Sequence, residues 1–263
     1  MAEATPSPRG ADYDQFVDWE ARLKREGPFF KRLFEEAGVS RVIDVGAGSG
    51  RHAIMFATWG LEVVAVDPDP GMLDQARKNV ETFADEIAAG GGSVTVLEGG
   101  FRGLSALGLG LFDALTCTGN ALPHAGGRDG LTETFADFAS VVAPGGVLVL
   151  HMLNHARLLD GKVRAIPPKV RETPEGTKVY LRIIDYPPGG EFIDFDFVTL
   201  TRDPEGAWSL SSRRSPHTAI TPRLLHSELP CCGFAEIELL GDHDGRQLEP
   251  TKDESVIVVA RRR

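Results

Sequence analysis

Residues 42–50 read Val42-Ile43-Asp44-Val45-Gly46-Ala47-Gly48-Ser49-Gly50. The β-branched run at Arg41–Val45 predicts a buried strand. Residues 50–59 continue as a helix. A glycine-rich turn between strand and helix marks a ligand site, because glycine allows a tight turn and a close backbone approach. A dinucleotide turn would read G-x-G-x-x-G. Here the glycines stand at 46, 48 and 50, and Arg51 falls where the third would be. Asp44 inside the strand end would repel a pyrophosphate and suit an ammonium group. The next strand, residues 61–66, is followed by Asp67, which is placed to bind a ribose diol. The ligand these residues describe has a ribose, a cation and no phosphate.

Strands and helices alternate on either side of this turn. Residues 71–89 read as a helix, 93–97 and 111–117 as strands, 130–142 as a helix and 146–152 as a strand. Such alternation predicts a doubly wound, mostly parallel α/β sheet. Residues 178–186, 192–201 and 207–219 read as three strands, separated by the turn signals Pro187-Pro188-Gly189-Gly190 and Asp203-Pro204-Glu205-Gly206. They form an antiparallel β insertion at 177–219. A helix from Thr221-Pro222 and strands at 234–240 and 255–260 complete the α/β domain, which takes residues 38–160 and 220–263. Ahead of it, residues 1–37 form a helical cap. Phe16, Trp19, Leu23, Phe29, Phe30, Leu33 and Phe34 have helical spacing, Gly27-Pro28 predicts a break into two helices, and Gly38 a stop. Residues 1–10 read as a disordered leader.

Composition narrows the function classes. The 263 residues carry a formal charge of −10, the wrong sign for a duplex-binding protein. No apolar run approaches the roughly 18 to 20 residues of a membrane span. The N-terminus lacks the apolar segment of a signal peptide, so the expected location is cytoplasmic. Three cysteines, two of them adjacent, read as reduced thiols, and no metal-ligand spacing stands out. Arg213-Arg214 and Arg261-Arg262-Arg263 read as solvated charge clusters. Glycine is in excess, at 30 residues.

A ribose-bearing, phosphate-free cation fits S-adenosylmethionine. Residues 41–57 resemble the first motif of the class I S-adenosylmethionine-dependent methyltransferases. Residues 63–73, VVAVDPDPGML, are similar to their second motif. The stretch from Phe112 through Cys117, Thr118, Gly119, Asn120 and Pro123 to His124 looks more specifically like the glycine/sarcosine N-methyltransferase group, as does the N-terminal stretch with Tyr13, Trp19 and Arg22. The resemblance implies a Rossmann-like seven-stranded methyltransferase fold with S-adenosyl-L-methionine as cofactor. It sets the backbone of Gly46, Ala47 and Gly48, with Asp44, against the methionine part. It gives the ribose to Asp67, beside Pro68, and sets Met72 against the adenine. It gives the methionine carboxylate to Arg22, with Tyr13 and Trp19 closing the site. Gly100, Phe101, Cys117, Thr118 and Gly119 complete the cofactor set.

Two positions depart from the pattern. Gly100 stands where an acid normally accepts from the adenine amino group. Leu153 stands where an arginine clamps the carboxylate of glycine, a contact leucine cannot make; Arg157 and Arg164 are nearby substitutes. Asn120 and His124, beyond the fourth strand, are the catalytic candidates, with Asn120 orienting an amine. Asn120, Asn154 and Tyr180 are the substrate candidates, with Tyr186 an alternative to Tyr180. His151 reads as a structural strand-end histidine, and His217 as part of a lid. The expected reaction is methylation of a small-molecule amine, without nucleic acid, membrane or metal. O- or C-methylation and a non-catalytic regulatory role remain the alternatives. A homo-oligomer through the β insertion stays open.

Overall fold

The computed structural model describes residues 10–173 and 175–263. The leader expected at 1–10 lies outside them except for Gly10, which opens helix α1 (Gly10–Phe16). Eleven strands follow along the described chain: β1 (Arg41–Val45), β2 (Glu62–Asp67), β3 (Ser93–Glu98), β4 (Phe112–Cys117), β5 (Val142–Leu153), β6 (Ala165–Thr173), β7 (Gly176–Asp185), β8 (Phe192–Arg202), β9 (Trp208–Thr218), β10 (Phe234–Leu240) and β11 (Ser255–Arg262). Seven form one sheet in the order β10-β11-β5-β4-β1-β2-β3, and β6 to β9 form a second, antiparallel sheet in chain order. In the large sheet only β11 runs against its neighbours β5 and β10. This is the doubly wound architecture with an antiparallel insertion that the sequence predicts.

The large sheet is covered on both faces, and the side-chain alternation of its strands divides the core in two. Ile43, Val45, Leu148 and Leu150 face Leu131, Phe135 and Phe138 of α6 (Gly127–Val141). Val42, Val147 and Val149 face the other way, against Phe30 and Phe34 of α2 (Trp19–Ala37) and Ile54 and Phe56 of α3 (Arg51–Ala57). Burial on both faces explains the near-continuous apolar runs. β1 sits between β4 and β2, so chain order reverses there and leaves a crevice beyond the strand ends.

Three local expectations are corrected. Gly27-Pro28 does not break the cap: α2 runs through it, although an interior proline costs about 3 kcal/mol. Pro28 is exposed, while Gly27, Phe29 and Phe30 are buried, and that apolar face carries the helix through. The break falls at Val17-Asp18 instead, where the Asp18 side chain caps α2 by accepting from the Ala21 amide. The helix expected over 71–89 divides at Phe83 into α4 (Pro70–Thr82) and α5 (Ala84–Gly90). The insertion has four strands rather than three. β6 escapes a sequence reading because Pro167-Pro168 lies in its middle, which an edge strand with a register shift between Ile166 and Lys169 tolerates.

Candidate active site

The glycine turn is built as its sequence requires. Gly46, Gly48 and Gly50 have φ of 71°, 58° and 76°, a region side-chain-bearing residues rarely adopt. A Cβ on Gly46 would lie 2.6 Å from the Cβ of Ala121. The Gly46 and Ala47 amides both donate to the Val66 carbonyl, at 2.8 and 3.0 Å, which ties the turn to β2. The Gly48 amide donates to Asp67 Oδ2 at 2.8 Å, and the Asp69 amide to Oδ1 at 2.9 Å.

Asp44 and Asp67 flank this turn, both buried. Burial raises the pKa of each; the Gly48 and Asp69 amides offset part of this at Asp67. Thr116 donates to Asp44 Oδ1 at 2.7 Å, while Oδ2 is buried with no hydrogen-bond partner among the described residues. A buried carboxylate oxygen without a donor is costly, so it marks a place for one.

The cap closes over the turn. The Tyr13 ring lies 3.7 Å from where a Gly48 Cβ would stand. Tyr13 Oη and Arg22 Nη1 come within 3.4 and 3.7 Å of the equivalent point on Gly119, at the end of β4. Glu26 accepts from Arg22 Nε at 2.9 Å and contacts His52 Nε2 at 2.7 Å. Burial alone would raise the Glu26 pKa, but His52 and Arg22 outweigh it and hold the carboxyl well below its usual range. Trp19 stacks edge-on against Tyr13 and His52. Asp14, which the sequence did not single out, is the hub. It accepts from Trp19 Nε1 at 2.7 Å, from Asn79 Nδ2 at 2.9 Å and from the Ser49 hydroxyl. It thereby joins α1 to α2, α4 and the turn. A carboxylate five residues before Trp19 carries no motif of its own, so only the fold exposes it.

Other predicted cofactor residues are brought to the same crevice. The Phe101 ring stands 3.6 Å from the Gly46 Cβ position, and the Met72 amide is capped by Asp69 at 3.1 Å. Thr118 Oγ1 lies 3.4 Å from His52 Nδ1, while Cys117 is core, its thiol pushed up by burial. Pro68 is exposed. Gly99 is required because a Cβ there would meet Val66 Cγ1 at 2.8 Å; at Gly100 the space is open.

On the acceptor side the assignments shift. Asn120 adopts φ 69° and accepts from the Leu153 amide at 2.9 Å, so it staples the ends of β4 and β5 together. Its Nδ2 lies 3.5 Å from His217 Nδ1. His217, from β9, packs on His124 with ring centroids 4.5 Å apart and on Phe195 at 4.4 Å. Burial and the neighbouring histidines hold its pKa down to about 2, and Nε2 has no hydrogen-bond partner among the described residues. His124 is exposed at one edge; desolvation and the Arg213 charge lower its pKa. Asn154 is drawn away from substrate: it caps α7 (His155–Asp160), donates to the Pro250 and Asp253 carbonyls, and is 1% exposed. Tyr186 is likewise bonded to the Leu158 and Val163 carbonyls, whereas Tyr180 packs on Phe16 at 5.1 Å. Arg164 pairs with Asp185 on the outer face. Arg213 is half-buried against Phe197, a correction to its reading as a solvated charge, because its strand faces inward at that register. Glu26, His151 and His243 offer three ligand atoms within 4.8 Å of one another, but Glu26 is committed to Arg22 and His52, whose cationic neighbour disfavours a metal ion.

The reversal at β1 and the glycine turn at its strand end give a Rossmann-like fold. Residues 42–146 match the family described as a methyltransferase domain. The chain is 34% identical over 149 residues to a glycine/sarcosine N-methyltransferase of Parasynechococcus marenigrum, covering 57% of this chain and 50% of that one. It spans about half the length of the curated relatives it matches. Among solved structures, a SAM-bound amino pentose methyltransferase from Micromonospora echinaspora superposes with a TM-score of 0.74 at 21% identity over 100% of both chains. A sugar N-methyltransferase from a Streptoalloteichus species gives 0.73 at 19%, over 100% of this chain and 96% of that one. These two likenesses are of fold. No helix among the described residues is long and apolar enough to cross a membrane.

Proposed function

We propose that this protein transfers a methyl group from S-adenosyl-L-methionine to the nitrogen of a small amine. The observation that carries this reading is the pair of buried acids on either side of the glycine turn, one of them with an unpartnered oxygen. Asp67 would take the ribose hydroxyls, Asp44 would face the ammonium group and Arg22 the carboxylate. Gly46 to Gly48 would lie along the methionine chain, with Met72 and Phe101 at the base. The glycine/sarcosine and sugar enzymes it resembles are named for N-methylation, which supports nitrogen as the acceptor.

The bound cofactor supplies a methyl group on a sulfonium, whose leaving group needs no acid. The chain's task is then to hold a neutral amine in line at near-attack distance. With Nδ1 facing the Asn120 Nδ2 donor, neutral His217 carries its proton on Nε2 and donates it to a polar group of the acceptor beside the amine, which orients the nitrogen without protonating it. Asn120 fixes the His217 ring from the Nδ1 side. His124, half in solvent, passes the product's surplus proton to water.

Calorimetric titration with S-adenosylmethionine and with NADH tests the cofactor. Binding of NADH alone would overturn the reading. Mass spectrometry on a panel of amines and matched hydroxy compounds tests the acceptor; methylation confined to hydroxyls would overturn nitrogen.

A further inference from the structure

The two faces of the lid sheet treat charge differently. On the outer face Arg214 pairs with Asp185 and Asp196, each at 2.6 Å. Cross-strand partners share a face. One inner row therefore holds Lys169, Tyr180, Thr199 and Ser211, and the next holds Ile166, Arg182, Phe197 and Arg213. This face looks into the crevice. Tyr180 packs on Phe16 of α1, and Lys169 Nζ lies 4.5 Å from the Phe16 ring centroid. His217, farther along β9, meets Asn120 and His124.

Among the described residues, Lys169, Arg182 and Arg213 form no ion pair with a carboxylate, all three are half-buried, and Arg213 Nε is buried without a partner. Asp69 and Glu254 act on Arg213 and Arg182 only as more distant charges. Lys169 faces further positive charge from Arg182, Arg171, Arg22 and Arg25, which with burial lowers its pKa. Desolvated cations without counter-charges are expensive to hold together unless a ligand neutralises them. Arg182 and Arg213 flank Phe197 from strands two apart, so their Cα atoms stand about 10 Å from each other. That reach exceeds a free glycine.

Resting on the methyltransferase reading, we propose that the acceptor is an amine with an extended anionic tail, phosphate or carboxylate, which Arg213 and Arg182 hold against the lid. Lys169 adds its charge from the neighbouring row, and Phe197 supplies the apolar floor.

The test is calorimetry on the full chain loaded with S-adenosylhomocysteine, titrated with inorganic pyrophosphate, sulfate and glutarate. At least one probe binds with one-to-one stoichiometry. Arg213→Gln and Arg182→Gln each weaken it about tenfold or more, the scale of a lost charged hydrogen bond. Arg214→Gln on the outer face leaves it unchanged, and circular dichroism confirms that each variant folds. A preference for pyrophosphate identifies a phosphate tail; a preference for glutarate identifies a carboxylate. If S-adenosylhomocysteine binds and no probe does, the proposal is overturned while the cofactor reading stands. If Arg213→Gln weakens S-adenosylhomocysteine but not the probes, Arg213 is a closure contact to Asp69 and the proposal again falls. If S-adenosylhomocysteine itself does not bind, the methyltransferase reading fails, and the probes are titrated on the unloaded chain.

Discussion

Substituting Gly46 and Gly48 separately isolates what the turn requires. Both have positive φ, so Gly46→Ala and Gly48→Ala each incur about 1–2 kcal/mol for the left-handed conformation. Restriction of the unfolded chain returns about 0.4–1 kcal/mol to each. The surroundings then differ. At Gly48 the new methyl meets Tyr13 at 3.7 Å, an ordinary contact. At Gly46 it meets the Ala121 methyl at 2.6 Å, about 1 Å inside the usual carbon–carbon separation. Overpacking of that kind adds about 1–3 kcal/mol. Gly46→Ala should therefore destabilise by about 2–4 kcal/mol and Gly48→Ala by about 1 kcal/mol. Urea unfolding of the ligand-free protein measures both. In the double variant Gly46→Ala/Ala121→Gly the opposing methyl is gone, so a favourable coupling of about 1–3 kcal/mol should appear. Equal losses at the two glycines, or no coupling with Ala121, would refute the close-approach argument.

Asp67→Ala should weaken S-adenosylmethionine at least about tenfold by calorimetry, because the ribose diol loses its acceptor. Unchanged affinity would remove Asp67 from the site. Gly100→Asp should tighten the same ligand about fivefold, since the open space there admits an acid facing the adenine amino group. A weaker complex would mean the base lies elsewhere. Asp14→Ala should expose α1 to limited proteolysis and raise the apparent KM for S-adenosylmethionine several-fold, because Trp19, Ser49 and Asn79 lose their common acceptor. The pH dependence follows from buried histidines. His151, His155 and His217 are held down to about 3, 4 and 2, chiefly by burial. The unfolded chain takes up their protons below about pH 6.5 and the folded chain does not, so stability falls as pH drops from 6.5, by about 1.4 kcal/mol per unit per histidine. His217→Phe should make that slope shallower by one proton in urea titrations between pH 4.5 and 6.5; an unchanged slope would place His217 in solvent.

Most of the large sheet was legible because parallel strands covered on both faces leave continuous β-branched runs. The juxtaposition of the residues proposed for the cofactor was legible for a related reason: a strand end, a turn and the next strand end are close in sequence, so Asp44, Gly46 and Asp67 can be read together. The acceptor half was not. His217 and Arg213 come from the lid, about a hundred residues from Asn120, and only a sheet register shows which lid residues face inward. Asn120 and Asn154 looked like substrate contacts because their residue type suits one, yet the Leu153 amide at the end of β5 engages the Asn120 oxygen, and the Pro250 carbonyl in the turn ahead of β11 engages the Asn154 amide nitrogen. Propensity also misplaced the cap's break, since it registers Pro28 but not the buried face that overrides it.

Helix α1 gives the two proposed halves of the site a common wall. Seven residues long, it meets the donor side through Tyr13 and Asp14 and the lid through Gln15 and Phe16. A chamber whose front wall also forms part of the neighbouring chamber fills in sequence. On the proposed methyltransferase reading, donor and acceptor sites share this one helix, so the expected kinetic pattern is ordered: donor first and spent donor last.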